Sequence, residues 1–225
     1  MNIIGISGLA GSGKDTVADW LLENEGFIKV SLADPIKRFA MDLWEFSEQQ
    51  LWGESKYRNA PDYRYRVPSS DSVLDPDVFL TPRQVLQHLG TEGARAIDFD
   101  VWIRYAIRIA NRLLKDDYLS YSQTEGLVST WGQDKAGLNI TRAVVIPDVR
   151  FRNEVEQIQD AGGTLLRVVR PGAGLEGKFA VHQSEAEMAA IPDSDFDVVI
   201  QNTGTLEDLK RNVDDFVSTF LQKAS

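Results

Sequence analysis

The feature that most constrains this chain is a glycine-rich segment close to its beginning, GLAGSGKDT at residues 8–16. It fits the pattern G-x-x-x-x-G-K and lies between an apolar run, residues 2–7, and a segment from Lys14 to about Glu25 with apolar residues at helical spacing. Strand, glycine loop and helix in this order are the setting in which such a loop binds phosphate. Its backbone N–H groups can turn inward around an anion at the positive end of the helix dipole. The segment therefore predicts a phosphate-binding loop in a parallel α/β protein.

Strand and helix patterns alternate along the rest of the chain, as in right-handed βαβ units. Strands are predicted at 27–33, 143–146, 164–170 and 196–202. Helices are predicted from Pro35 onward and at 82–89, 99–114, 151–161 and 206–220. We therefore expect a single domain over residues 1–225, with a mostly parallel five-stranded sheet flanked by helices.

Three segments show neither the strand period nor the helix period. Residues 52–80 are rich in Tyr, Arg, Asp, Pro and Ser, residues 116–141 are polar and contain glycine, and residues 171–194 have three glycines near their start. Long segments of this kind in a compact domain are usually functional or mobile. We expect a surface segment at 52–80 that binds substrate and a loop or hairpin at 116–141. Arg170 opens the third segment, which resembles a lid with glycine hinges.

The composition excludes several classes of function. The chain has no cysteine and two histidines, which excludes disulfides and thiol nucleophiles and argues against a zinc site. Its formal net charge of −10 argues against non-specific binding of a nucleic-acid polymer. No apolar run approaches the ~20 residues of a membrane span, and no basic segment precedes the first apolar run as in a secretion signal. We therefore expect a cytoplasmic protein whose partners include neither a membrane nor a nucleic-acid polymer.

Within the glycine-rich loop, Lys14 supplies a mobile cation for the β- and γ-phosphates of a nucleotide. Most loops of this pattern place Ser or Thr directly after the lysine to ligate Mg²⁺, whereas this chain has Asp15 and then Thr16. Small-molecule kinases that read GKGT, such as adenylate kinase, are similar in this respect and hold Mg²⁺ largely through water. The displacement favours a kinase of small metabolites, and the lack of an Asn-Lys-x-Asp motif disfavours a GTPase.

Carboxylates follow two of the predicted strands, at the sheet edge that should face the loop. Asp34 has three interpretations: it orients the neighbours of an acceptor phosphate, it takes part in Mg²⁺–water ligation, or it caps the helix that Pro35 opens. Asp148 follows the strand at 143–146 and is either similar to a Walker-B carboxylate or a simple turn residue. Arg150 is well placed to meet the charge of a transferred phosphoryl group, because phosphoryl transfer depends mainly on positioning and charge neutralisation.

Three further cations and one aromatic residue have both a ligand-binding and an ordinary structural interpretation. Lys37 reaches a phosphate or remains a solvated surface charge. Arg83 at the start of a predicted helix and Arg95 after the turn at 90–93 suit bidentate phosphate contact, or else form surface ion pairs. Trp102 stacks on a base or packs in the core.

Four segments in order resemble bacteriophage-type deoxynucleoside monophosphate kinases. They are GLAGSGKDT at 8–16, ADPIK at 33–37, TPRQVLQHLGTE at 81–92 and IPDVRFRNE at 146–154. The resemblance spans about residues 3–215 and is weak over 52–80 and 116–141. The joint presence of the third and fourth segments is its most specific part, since GKDT also occurs in other P-loop kinases.

The resemblance implies a P-loop kinase fold and an enzyme that transfers the γ-phosphoryl group of ATP to a deoxynucleoside 5′-monophosphate, with Mg²⁺. It places the ATP phosphates on Gly11, Ser12, Gly13, Lys14, Asp15 and Thr16, with Thr16 near the metal. It assigns the acceptor nucleotide to Lys37, Arg83, Arg150 and Asn153. Beside these, we expect Arg95, Trp102, Asp148 and Glu154 to bind the same substrate. It implies catalysis by Lys14, Asp34 and Arg150, with in-line attack by an acceptor phosphate oxygen and no side-chain nucleophile.

Two other classes of protein stay open alongside this one. One is a P-loop kinase of another small metabolite, of the dephospho-coenzyme A or phosphomevalonate type, because GKDT and ADPIK are compatible with both. The other is a module that binds ATP without transferring phosphate. The resembling family commonly dimerises, and exposed apolar faces on the long helices would permit a homodimer.

Overall fold

A computed structural model of the chain describes residues 2–68, 74–131, 143–174 and 183–224. The chain divides into two compact units. The first comprises Met1–Leu32, Trp102–Gln123 and Leu127–Ser225, and the second comprises Ala33–Val101 and Thr124–Gly126. Much of the predicted lid, residues 175–182, lies outside the described residues.

The first unit contains a five-stranded sheet, as predicted. Its strands are β1 (Ile3–Ser7), β2 (Ile28–Lys29), β7 (Val144–Ile146), β8 (Thr164–Val169) and β9 (Val198–Gln201), numbered along the whole chain. They are hydrogen-bonded in the order β2-β7-β1-β8-β9, and every pair is parallel. The strand predicted at 27–33 is confined to two residues, because it lies at the sheet edge against a partner of only three.

Helices cover both faces of this sheet. On one face α1 (Lys14–Glu25) and α10 (Leu206–Ala224) pack on Ile4 and Ile6, and on the other α7 (Val101–Leu113) and α8 (Arg152–Asp160) pack on Ile3 and Val144. Successive side chains of a strand point to opposite faces, so the continuous apolar run of β1 serves both cores. All five β1 residues are buried. This double burial fixes the strand whose end carries the glycine-rich loop.

Two of the predicted excursions contain regular structure among the described residues. Strands β5 (Leu119–Ser122) and β6 (Gly126–Ser129) form a two-stranded sheet, which confirms the hairpin alternative for this region. Within 171–194 the structure has a helix, α9 (Gln183–Ala190), so that segment is not loop throughout. Arg167 of β8 donates to the carbonyls of Met188 and Ile191, which ties the chain after this helix to the sheet. None of the helices in the described ranges has the length and apolarity that a membrane crossing requires.

The second unit is built mostly from helices, and the described parts of its segment 52–80 contain helices and strands that the sequence did not predict. Its elements are α2 (Asp34–Trp44), α3 (Glu48–Trp52), α4 (Ser55–Asn59), the antiparallel pair β3 (Arg66–Pro68) and β4 (Leu74–Phe79), α5 (Pro82–Gln87), a π-helical stretch (His88–Ala94) and α6 (Arg95–Ile97). Five-residue helices are too short to show a period, which is why the pattern missed them. The apolar core of the second unit comprises Ala40, Phe46, Leu51 and Val85.

The turn predicted at 90–93 is wrong. The chain continues from α5 through the π-helical stretch into α6. Gly90 is buried, and a Cβ atom there would lie 3.1 Å from the Cδ1 of Ile36. The glycine therefore permits close packing against α2 and does not mark a reversal of the chain.

Candidate active site

Four loops of the first unit lie at the same edge of the sheet, because the carboxyl ends of parallel strands meet there. They follow β1, β7, β8 and β9. The first of them, residues 8–13, carries Gly11 and Gly13 with φ of 77° and 101°, values that favour glycine. Gly13 is the N-cap of α1, and no side chain of the described residues caps that helix. Its first N–H groups are therefore left for an anion.

The loop lysine lies beside a carboxylate from the neighbouring strand. Lys14 is buried, with 8% of its side chain exposed, and its Nζ is 3.6 Å from Oδ1 of Asp148 and 3.4 Å from Oδ2 of Asp15. The other Asp148 oxygen, Oδ2, is 2.9 Å from a terminal nitrogen of Arg150. Asp15 is mostly exposed, so water screens its pair with the lysine more strongly than the Asp148 pair. The structure thus brings together four predicted site residues, two at the start of α1 and two in the segment after β7.

The backbone at Asp148 adopts a conformation that non-glycine residues seldom use. Its φ is 67°, in the left-handed region. The next residue, Val149, is fully buried and its N–H donates to the carbonyl of Ile6 at 2.9 Å. This anchor holds the turn against β1, so Asp148 is at once a turn residue and the contact of the loop lysine. Strain of this kind is concentrated at functional sites in proteins.

A buried carboxylate, that of Glu154, accepts the backbone N–H of Arg150. Glu154 is 1% exposed, and its Oε2 accepts the N–H groups of Arg150 at 2.8 Å and of Phe151 at 3.1 Å. Glu154 therefore closes the start of α8, and its place in the structure is that of a backbone support for Arg150. Asn153 is half-buried in the first turn of the same helix. Arg152 is exposed and pairs with Asp195 and Glu156.

Arg170 and the residues after it border the glycine-rich loop. Arg170 is exposed directly after β8. Together with residues 171–174 it lines a concave pocket whose other wall is Ala10 and Gly11. The N–H of Gly174 donates to the carbonyl of Ala10 at 2.9 Å. This pocket is therefore continuous with the predicted phosphate site.

One residue of this edge has no counterpart among the predicted site residues. Asn202 follows β9 directly, and its side-chain amide donates to the carbonyl of Ser12, itself a buried residue, at 2.8 Å. A polar residue directly after a parallel strand was the available signal, the same one that indicated Asp34 and Asp148.

In the second unit, two predicted residues share one aromatic neighbour. Asp34 is the first residue of α2 and is 2% exposed. The indole N–H of Trp52 donates to its Oδ1 at 2.9 Å, and Nζ of Lys37 lies 5.4 Å from the centre of the Trp52 ring. Trp52 therefore holds the carboxylate and contacts the cation, a role that the sequence did not indicate.

The remaining predicted residues have structural neighbours of their own. The guanidinium of Arg83 donates through Nε to Oδ1 of Asn59. The Arg95 guanidinium lies 5.3 Å from the centre of the Phe99 ring. Trp102, in the first unit, is half-buried in the first turn of α7. Their assignment to an acceptor nucleotide stays a prediction.

Comparison with known proteins identifies the relatives of this chain. The family model for deoxynucleotide monophosphate kinase matches residues 2–65 and 127–213. A protein of Acanthamoeba polyphaga mimivirus described under the same family name is 32% identical over 208 residues, which cover 92% of each chain. The deoxynucleotide monophosphate kinase of Enterobacteria phage T4 is 24% identical over 242 residues, covering 93% of this chain and 95% of the phage protein. That of Escherichia phage RB69 is 26% identical over 247 residues, covering 95% and 98%.

The matched residues include all the loops at the carboxyl edge of the sheet. The glycine-rich loop and Asp34 lie in the first matched segment, and Asp148, Arg150 and Asn202 lie in the second. Arg83, Arg95 and Trp102 fall between the two segments.

Proposed function

Since this chain belongs to the deoxynucleotide monophosphate kinase family, we propose that it transfers the γ-phosphoryl group of ATP to a deoxynucleoside 5′-monophosphate. The products are ADP and the deoxynucleoside diphosphate. The observation that carries the proposal is the set of Lys14, Asp148 and Arg150 at the mouth of the glycine-rich loop. Two cations held close to a phosphate-binding helix end are what phosphoryl transfer requires.

The ATP phosphates bind to the glycine-rich loop in this proposal. The uncapped N-terminus of α1 and the inner N–H groups of the loop contact the phosphate oxygens, and Lys14 contacts the β- and γ-phosphates. Arg170 lies on the wall of the adjoining pocket, where its exposed guanidinium can contact the nucleotide. The near-complete burial of Lys14 favours this role, since a buried ammonium needs anionic partners.

The transfer itself is an in-line displacement. An oxygen of the acceptor phosphate attacks the γ-phosphorus, and the bond from that phosphorus to the oxygen bridging it to ADP breaks. Negative charge on the transferring group is neutralised by Lys14 and Arg150. Asp148 holds both cations before the nucleotide binds, and no side-chain nucleophile is needed.

The described part of the chain offers few grouped protein ligands to a metal ion. Within the described part of the chain, no three acidic or histidine side chains are grouped as a protein metal site would be. Exposed Thr16, in the first turn of α1, and Asp148 are the residues that would hold Mg²⁺, chiefly through water. When bound, Mg²⁺ would supply charge neutralisation to the transferring phosphoryl group.

Each unit contains side chains that this proposal assigns to the acceptor nucleotide. In the second unit these are Lys37, next to Trp52, and the arginines Arg83 and Arg95. Buried Asp34 orients the neighbours of the acceptor phosphate. In the first unit Asn153 and Arg150 lie at the start of α8.

The experiment that tests the proposal incubates the purified chain with ATP, Mg²⁺ and a panel of monophosphates. The panel holds the four deoxynucleotides and their ribonucleotide counterparts, with dephospho-coenzyme A and phosphomevalonate as competing acceptors. We expect ADP and a deoxynucleoside diphosphate in equal amounts. Lys14→Ala should lower kcat more than about a hundredfold. The control Lys29→Ala, which removes the pair between Lys29 of β2 and Asp19 of α1, should leave kcat unchanged.

Two results would overturn the proposal. ADP formed without a phosphorylated deoxynucleotide would indicate an ATP-binding module with slow hydrolysis. Faster phosphorylation of dephospho-coenzyme A or phosphomevalonate would indicate a kinase of another metabolite.

A further inference from the structure

We propose that Asn202 is a positioning residue that orients the phosphate-binding loop through its side-chain amide. This inference rests on the proposed function, in which that loop holds the phosphates of ATP. Asn202 lies outside the glycine motif and is separated from the loop residue that it contacts by 190 positions.

The placement of Asn202 is rigid. It follows β9 directly, its backbone N–H donates to the carbonyl of Val169 at 2.7 Å, and 9% of the residue is exposed. Its Nδ2 donates to the carbonyl of Ser12 at 2.8 Å. Ser12 is 1% exposed, so water cannot readily replace the amide as a donor to that carbonyl.

This hydrogen bond fixes a peptide plane. The carbonyl of Ser12 and the N–H of Gly13 belong to the same trans peptide, whose C=O and N–H point in opposite directions. A donor that holds the carbonyl on the side of β9 therefore turns the Gly13 N–H to the opposite side. Phosphate binding by such a loop depends on N–H groups turned towards the anion.

The side chain of Asn202 also explains the glycine at position 13. A Cβ atom on Gly13 would lie 2.6 Å from Nδ2 of Asn202, closer than any unstrained contact. The φ of Gly13, 101°, is unfavourable for other residues as well. Loop backbone and amide are thus packed directly against each other, and neither can shift without the other.

A second donor supports the loop at its other side. The N–H of Gly174 donates to the carbonyl of Ala10 at 2.9 Å, which by the same reasoning orients the N–H of Gly11. That contact is made by the main chain and cannot be removed by changing a side chain. Asn202 is therefore the support that substitution can test.

The test uses Asn202→Ala and the near-isosteric Asn202→Asp in the full chain. Asn24→Ala is the matched control, because the Asn24 amide also donates to a main-chain carbonyl, that of Trp20 on α1. ATP affinity is measured by calorimetric titration, which needs no turnover. The KM values for ATP and for dGMP or dTMP and the melting temperature are measured in parallel.

We expect both Asn202 variants to bind ATP about tenfold more weakly, the usual effect of losing one buried hydrogen bond. The KM for ATP should rise in step while the KM for the monophosphate stays within about twofold. The alanine variant adds no charge, so agreement between the two variants excludes simple repulsion of the phosphates. Asn24→Ala should match the wild type in both affinities.

A merely structural Asn202 would give a lower melting temperature with unchanged ATP affinity in the folded variants, and that result would overturn the inference. So would equal losses of affinity for ATP and the monophosphate. A wild-type chain that binds ATP but transfers no phosphate would contradict the proposed function alone, since the calorimetric comparison still decides the role of Asn202.

Discussion

The carboxylate of Asp148 lies 3.6 Å from the ammonium of Lys14, although the two residues stand on different loops and 134 positions apart. The same carboxylate reaches Arg150 through its other oxygen at 2.9 Å. Two cations that would repel each other are thus held in one place by a single anion. In the proposed mechanism phosphate oxygens replace this anion, so the two cations are already in place before the nucleotide binds.

Removing the charge of Asp148 should therefore impair catalysis more than folding. Asp148→Asn keeps a side chain that tolerates the left-handed backbone, φ 67°, but loses the negative charge between the two cations. We expect kcat to fall at least about tenfold, with a small change in melting temperature. Asp19→Asn removes an exposed carboxylate that pairs with half-buried Lys29 and serves as control. An equal effect of both substitutions would contradict a special role for Asp148.

Arg150 and Arg152 should differ sharply. Arg150→Ala removes a cation next to Lys14 and Asp148, and we expect kcat to fall by two to three orders of magnitude, roughly as when a transition-state cation is lost. Arg152 is exposed and forms surface pairs with Asp195 and Glu156, so Arg152→Ala should cost about 1 kcal/mol of stability or less. Steady-state kinetics and denaturant unfolding of both variants provide the measurement. Small, similar losses of kcat would show that neither arginine meets the transferring group.

Much of this site follows from elements that the sequence predicts well. The bounds of α1 agree with the prediction because glycines stand on both sides of a segment whose Val17, Ala18 and Leu21 share one buried face. The strand–loop–helix order then places the glycine-rich loop, and parallel pairing of β1 with β7 brings Asp148 to the same edge. These predictions depend on local pattern and on one rule of topology.

The other parts of the site depend on contacts that no local pattern contains. Asn202 meets Ser12 across 190 positions, and Trp52 meets Asp34 across 18. Glu154 was predicted among the acceptor residues because of its motif. Its burial and its hydrogen bond to the Arg150 N–H result from the packing of α8 on the sheet. Tertiary packing decides which side chains are neighbours, and the hydrophobic periodicity of a sequence contains no information about those contacts.

Glu154 should act on catalysis through the backbone of Arg150. Glu154→Ala removes the acceptor of two partly buried N–H groups, which should cost roughly 2–4 kcal/mol of stability and lower kcat through displacement of Arg150. Glu154→Gln keeps an oxygen at the same position and should retain most of the activity. The control is Gln50→Ala at the start of α3, where the side chain likewise accepts the N–H of the N-cap residue, Ser47. If the control lowers kcat as much as Glu154→Ala at equal loss of stability, the link to Arg150 is wrong.

Substitution of Trp52 should raise the KM for the monophosphate and leave the KM for ATP unchanged. Trp52→Phe keeps an aromatic ring beside Lys37 but removes the N–H that donates to Asp34, leaving a buried carboxylate with one fewer donor. We expect the KM for the monophosphate to rise about three- to tenfold, with the KM for ATP unchanged. Trp44→Phe is the matched control, since Trp44 packs against Phe46 in the same unit. A rise in the KM for ATP alone would contradict the assignment of Asp34 to the acceptor.

The acid stability of the second unit should depend on Asp62. The guanidinium of Arg64 donates to both carboxylate oxygens, at 2.9 and 2.8 Å, and the amide of Gln50 donates a further bond at 3.1 Å. These donors hold the pKa of Asp62 well below its usual value of 3.8 despite its burial. A carboxylate whose pKa is lowered by folding stabilises the native state above its unfolded pKa, and this contribution is lost as the pH falls from there towards the folded value.

We therefore expect the wild type to exceed Asp62→Asn in free energy of unfolding by a constant amount between about pH 5 and 7. Below about pH 4 this difference in free energy of unfolding should decrease, because Asp62 is then protonated in the unfolded wild type and still ionised in the native state. Denaturant unfolding measured from pH 7 down to about 3 follows both curves, with Asp42→Asn, a change at an exposed position of α2, as control. The Asp62 carboxylate also accepts the backbone N–H of Arg64, and the backbone N–H of Asp62 donates to the carbonyl of Leu80. Loss of stability in acid should therefore begin next to the β3–β4 pair. Parallel curves for wild type and Asp62→Asn over the whole range would mean that this carboxylate makes no pH-dependent contribution to folding.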